Sequence, residues 1–72
     1  MSFRAYLKAR PKTTDAGGAF ALRAKDDPDL PDTRLWSELE TFLLRRNVSD
    51  AELEIARRLW GEYRATLRVQ QS

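Results

Sequence analysis

The chain reads as an all-α protein, a compact four-helix bundle forming a single domain. Three observations predict this. Apolar residues recur at three- and four-residue intervals in four separate stretches. Each stretch is preceded by a residue suited to capping a helix: Ser2, Asp15, Asp32 or Thr33, and Ser49. No stretch sustains a period-two alternation or carries a two-residue hairpin signal, so no strand is expected.

The first helix is expected over about residues 3–10, capped by Ser2 and stopped by Pro11. Phe3, Tyr6, Leu7 and Arg10 share its inner face, while Arg4 and Lys8 point away. Lys12-Thr13-Thr14 is a polar connection to the second helix, which follows Asp15 and covers about 16–26. That helix has a narrow face of Ala16, Gly17, Phe20 and Ala24, with Leu22 on the opposite side. Gly17 and Gly18 weaken its start by up to roughly 1 kcal/mol each relative to Ala, which close approach of another helix would offset.

Pro28 and Pro31 keep the residues before them out of the helical region, so 27–32 is a loop, with Leu30 plugging the core from it. The third helix, about 34–45, carries the stripe Leu35, Trp36, Leu39, Phe42 and Leu43. Arg45 and Arg46 favour its dipole in the last turn, and Asn47 suits a left-handed stop.

The fourth helix, about 50–68, is the longest. Ser49 and Glu52 have capping-box spacing, and Val48 and Leu53 have the spacing of a hydrophobic staple. Ile55, Ala56, Leu59, Tyr63 and Leu67 face inward; Arg57, Arg64 and Arg68 line the other side, and Glu54 and Arg58 are spaced for an i,i+4 pair. Residues 69–72 are expected to fray. The expected core is Phe3, Tyr6, Leu7, Phe20, Leu30, Leu35, Trp36, Leu39, Leu43, Ile55, Leu59, Trp60 and Tyr63.

Seventy-two residues suffice for one small core and leave little room for a deep substrate cavity. The chain has no Cys and no His, which removes disulfides, thiolate metal sites and the commonest acid–base catalyst. Neither a phosphate-cradling glycine loop nor a nucleophile elbow is present. Asp26, Asp27, Asp29 and Asp32 lack the spacing, central Gly and closing Glu of a calcium loop. A non-enzyme is expected, with no catalytic, cofactor or metal site and no small-molecule substrate. No apolar run is long enough to cross a bilayer, and Met1 to Ala5 lacks the basic-then-apolar order of a secretory signal. A cytoplasmic protein with no membrane partner is expected.

The net charge of +2 conceals an asymmetry. Residues 1–25 hold Arg4, Lys8, Arg10, Lys12, Arg23 and Lys25 against Asp15, whereas residues 26–40 hold Asp26, Asp27, Asp29, Asp32, Glu38 and Glu40 against Arg34. Such a chain either offsets its own charges on folding or presents faces of opposite sign.

Phe3-x-x-Tyr6-Leu7, Gly18-Ala19-Phe20-Ala21, Asp27-Pro28-Asp29-Leu30-Pro31, Trp36-Ser37-Glu38-Leu39-Glu40, Phe42-Leu43 and Ala56-Arg57-Arg58-Leu59-Trp60 with Tyr63 follow one another along the chain. In this order they resemble the YozE-type family of small bacterial proteins, which has a sterile-alpha-motif-like helical fold. The resemblance runs from about Ser2 to Tyr63; Asp15-Ala16-Gly17-Gly18-Ala19 departs from the family's apolar-Gly-acidic pattern. It implies a compact four-helix domain and carries over no catalytic motif.

The expected function is a small interaction module that binds a protein partner, or a second copy of itself, through charged faces. The candidate basic face is Arg57, Arg64, Arg68, Arg45 and Arg46; the candidate acidic face is Asp26, Asp27, Asp29, Asp32 and Glu38. The alternative is a DNA- or RNA-binding accessory protein whose arginines contact phosphates.

Overall fold

Side-chain caps begin three of the four helices where the sequence places them. A computed structural model of the chain describes residues 2–71. Its helices are α1 (Phe3–Ala9), α2 (Ala16–Ala24), α3 (Trp36–Arg45) and α4 (Asp50–Gln71), and the described residues contain no strand. Ser2 Oγ accepts the Ala5 N–H at 3.1 Å, Asp15 Oδ1 that of Gly18 at 2.9 Å, and Ser49 Oγ that of Glu52 at 3.2 Å. Each bond satisfies one backbone donor that a helix start otherwise leaves open.

The start of α3 differs from expectation. Thr33 is buried and its hydroxyl is fully engaged, accepting the Leu35 N–H at 3.1 Å and donating to Glu38 Oε2. That turn holds Leu35 extended as the residue before the helix, so α3 begins at Trp36 rather than at 34. Helical periodicity does not reach Leu35, and it lies 57% exposed instead of in the core. The end of α3 follows its signal. Asn47 takes φ 57°, with Val48 N–H donating to Leu43 O and Asn47 N–H to Leu44 O, the paired bonds of a Schellman stop.

Two other boundaries shift. α2 ends at Ala24, and a tight turn in which Asp27 N–H donates to Ala24 O leads into Pro28. α4 continues past Arg68 to Gln71; the expected fraying at Ser72 lies outside the described residues.

α4 is the organising element, because α1, α2 and α3 all pack on it. Phe3, Leu39 and Leu59 are completely enclosed. Around them Phe3, Trp60 and Tyr63 form an aromatic cluster with centroids 5.1 to 5.6 Å apart in tilted or edge-on pairs. Leu30 enters from the loop and is 6% exposed. Tyr6, Trp36 and Ile55 pack against the core but stay only partly buried, while Ala21 and Ala56 complete it. The radius of gyration is 11.6 Å, against about 11 Å for a compact chain of this length.

Gly18 is where a side chain has no room. A Cβ there would lie 2.0 Å from the Thr13 carbonyl oxygen. The close approach comes from the chain entering α2, not from another helix. Gly17 faces the Arg58 guanidinium of α4, with its Nη2 3.2 Å from where a Cβ would stand.

Candidate interaction surfaces

The acidic loop between α2 and α3 is partly offset from within the molecule. Arg46, at the end of α3, donates to Asp29 Oδ2 at 2.9 Å and to Asp27 Oδ1 at 3.2 Å. Its guanidinium also lies 4.9 Å from the Phe42 ring centroid, which adds cation–π attraction and restrains the side chain. Asp27 Oδ1 accepts the Asp29 N–H as well, so the loop is held at its own backbone and at α3. Of the candidate acidic residues, Glu38 accepts the Thr33 hydroxyl, and Asp26 and Asp32 remain exposed. Arg46 and the carboxylates Asp27 and Asp29 therefore meet in one molecule; they do not belong to separate faces of opposite sign.

The candidate basic residues do not form one patch. Arg57 donates to Glu40 Oε2 at 3.5 Å and lies over the Trp36 ring at 5.7 Å. Trp36 is half-buried there, and its enclosed Nε1 has no hydrogen-bond partner among the described residues. Arg64 and Arg68 are exposed on the distal half of α4. With a rise of about 1.5 Å per residue, Arg64 stands roughly 21 Å along the axis from Asp50, beside which Arg45 and Arg46 end α3. Arg58 turns to Gly17 and Asp15 at the start of α2, away from its expected pair with Glu54.

The more concentrated cationic surface lies elsewhere, on the N-terminal part of the chain. Between α1 and α2 runs a groove of about 240 Å³. Leu7, Pro11, Ala21 and Leu22 give it an apolar floor, and Lys8, Arg10, Lys12 and Lys25 stand around it. Among the described residues no carboxylate lies within ion-pair distance of Lys8, Lys12 or Lys25. Leu22 is 57% exposed at this site. The signal was present in the basic composition of residues 1–25, but the pieces lie on two helices whose packing the sequence does not display.

Comparison with protein-family models, curated proteins and solved structures returns no match.

A second groove, also about 240 Å³, lies where α2, α3 and the start of α4 meet, over Phe20, Phe42, Leu43 and Val48. Its rim is paired: Arg23 with Glu52 at 3.0 Å, and Arg46 with Asp27 at 3.2 Å. The two grooves are alike in size, but the charges of the second are paired and the lysines of the first are not.

Two titrating groups are perturbed. The Thr13 hydroxyl donates to Asp15 at 2.7 Å and, with the Gly18 N–H, holds that carboxyl below its ordinary value of 3.8. Burial raises the Tyr6 phenol above 10.0, aided by the Glu62 carboxylate that accepts its hydrogen bond at 3.2 Å. Asp15 stays ionised as the cap of α2. Among the described residues no group of three His, Cys, Asp or Glu is placed to hold a metal ion, and no helix is long and apolar enough to cross a membrane.

Proposed function

We propose that this chain is a small, non-enzymatic interaction module that binds a protein partner through its basic N-terminal face. One observation carries the reading. Arg46 is the internal counter-charge of Asp27 and Asp29, whereas Lys8, Lys12 and Lys25, gathered around one groove, have no carboxylate partner among the described residues. Charges left unpaired at a partly apolar surface are available for steering and orienting a partner. The YozE-type resemblance, with the sterile-alpha-motif-like arrangement it implies, agrees with a compact helical module, and a cytoplasmic setting suits a chain without cysteine.

Nucleic-acid binding is the second reading, favoured by the exposure of Arg64 and Arg68 on α4. It loses strength because Arg46 and Arg57 are engaged with Asp27, Asp29 and Glu40. Affinity capture from the native cell, with and without nuclease, separates the two. The module reading expects a protein that survives nuclease, re-forms the complex from purified components, and dissociates as salt rises. Retention of nuclease-sensitive nucleic acid alone would contradict it.

A further inference from the structure

Building on that interaction-module reading, we infer that the α1–α2 groove is the docking site and that its occupant is a short acidic amphipathic helix of a partner protein. The floor and the rim select this ligand together. Pro11 and Leu22, exposed above the buried Leu7 and Ala21, offer contact only to apolar side chains. Lys8, Arg10, Lys12 and Lys25 offer contact only to anions or hydrogen-bond acceptors. A helix with Leu or Phe on one face and Glu or Asp flanking that face meets both requirements at once.

The dimensions agree. α2 has nine residues, about 13 Å at 1.5 Å per residue, which matches roughly two turns of a partner helix. An opening of about 240 Å³ accommodates a few apolar side chains and not a buried domain face. Arg4 is not part of this lining: instead of pointing away from the molecule it turns to the carbonyls of Lys25 and Leu30, donating at 3.1 and 3.2 Å. Asp15, the nearby carboxylate, is already occupied by Thr13 and the Gly18 N–H and lies close to Arg10 and Arg58.

A phosphodiester backbone fits less well. It satisfies the lysines but has nothing to place over Leu22 and Ala21, and no aromatic ring lines the groove for a base to stack on. The neighbouring groove shows the contrast within the same molecule. Its apolar floor is bridged by two ion pairs, so an acidic ligand meets no unpaired charge there.

The test is a nuclear magnetic resonance titration of the full chain with a synthetic helical peptide carrying Leu at i, i+3, i+4 and i+7 and Glu on its flanks. Shifts should concentrate in residues 7–13 and 18–25. Leu22→Asp should weaken binding by at least about tenfold, since it removes a large apolar contact and adds a like charge. Leu44→Asp alters a comparably exposed leucine on α3 outside the groove, and should change affinity by less than about twofold, as expected for a side chain the ligand never touches. Lys8→Glu with Lys12→Glu should weaken binding and flatten its salt dependence. Shifts centred elsewhere, or equal loss in the Leu22 and Leu44 variants, would overturn the site. So would duplex DNA giving the same shifts with no sensitivity to Leu22→Asp, or shifts at the groove that appear on concentrating the protein alone. If Leu22→Asp still captures the cellular partner, the groove assignment fails and the module survives; if no protein is captured, the module itself fails.

Discussion

The acidic connection between α2 and α3 and the basic stretch that runs from α1 into α2 carry opposite charge in the sequence and finish in different states. In the first, Pro28 and Pro31 stiffen the chain, Leu30 anchors it in the core, and Arg46 reaches over from α3 to hold Asp27 and Asp29. In the second, Pro11 ends α1 and Asp15 starts α2, while Lys8 and Lys12 project from the rim with no ionic partner among the described residues. The difference shows that a run of charge in sequence is not a binding face until the fold has taken its share. One connection spends Asp27 and Asp29 on closing the structure and leaves Asp26 and Asp32 exposed. The other leaves Lys8 and Lys12 without an ionic partner among the described residues.

The sharpest way to break the acidic half is to remove its anchor. Leu30→Ala empties a site that is 6% exposed and should cost about 2–5 kcal/mol of unfolding free energy, read from urea denaturation. In the basic half, Gly18→Ala forces a Cβ against the Thr13 carbonyl and should cost about 1–3 kcal/mol. Gly17→Ala, beside the movable end of Arg58, should cost nothing and gain up to about 1 kcal/mol in helix propensity. Opposite signs at adjacent glycines would establish that the entering chain, rather than helix packing, sets the requirement.

Arg46→Ala separates the two connections electrostatically. It removes two ion pairs and the Phe42 stack, and should destabilise by about 1 kcal/mol, less at high salt. The matching Lys12→Ala substitution breaks no ion pair among the described residues and should leave stability within about 0.5 kcal/mol of the native chain.

The smallest effect concerns Asp15, whose pKa in the folded chain is depressed below 3.8. Its contribution to stability is complete above the unfolded value and is lost as pH falls through the depressed folded value. Below both, the two states bind the proton alike. Asp15→Asn should therefore flatten that acid limb, measured as urea midpoint against pH, while leaving the neutral region close to the native curve because Asn also caps.

What was legible in the sequence follows from how local each signal is. Ser2, Asp15, Ser49 and Asn47 act on backbone groups within a few residues, and each performs the expected task. Leu30 between two prolines also had one sensible destination. Leu35 was misplaced because Thr33 spends its hydroxyl on a turn and delays the helix by two residues, a competition between two local bonds that periodicity cannot weigh. The surface was less legible. Glu52 has the spacing of a capping-box partner, yet its carboxylate pairs with Arg23 of α2. Arg46 looked like a free cation at a helix end and is instead the counter-charge of a loop seventeen residues earlier. Lys8 and Lys25 converge on one groove only once α1 has packed on α2.

The most direct test of the central claim compares relaxation of backbone amides by an anionic and a cationic nitroxide, which reports the local electrostatic potential residue by residue. The anionic probe should gather at Lys8, Lys12 and Lys25 more strongly than the cationic probe gathers at Asp27 and Asp29, and Arg46→Ala should raise the cationic enrichment at that loop. Equal enrichment of the anionic probe at those lysines and of the cationic probe at Asp27 and Asp29, unchanged by Arg46→Ala, would contradict it.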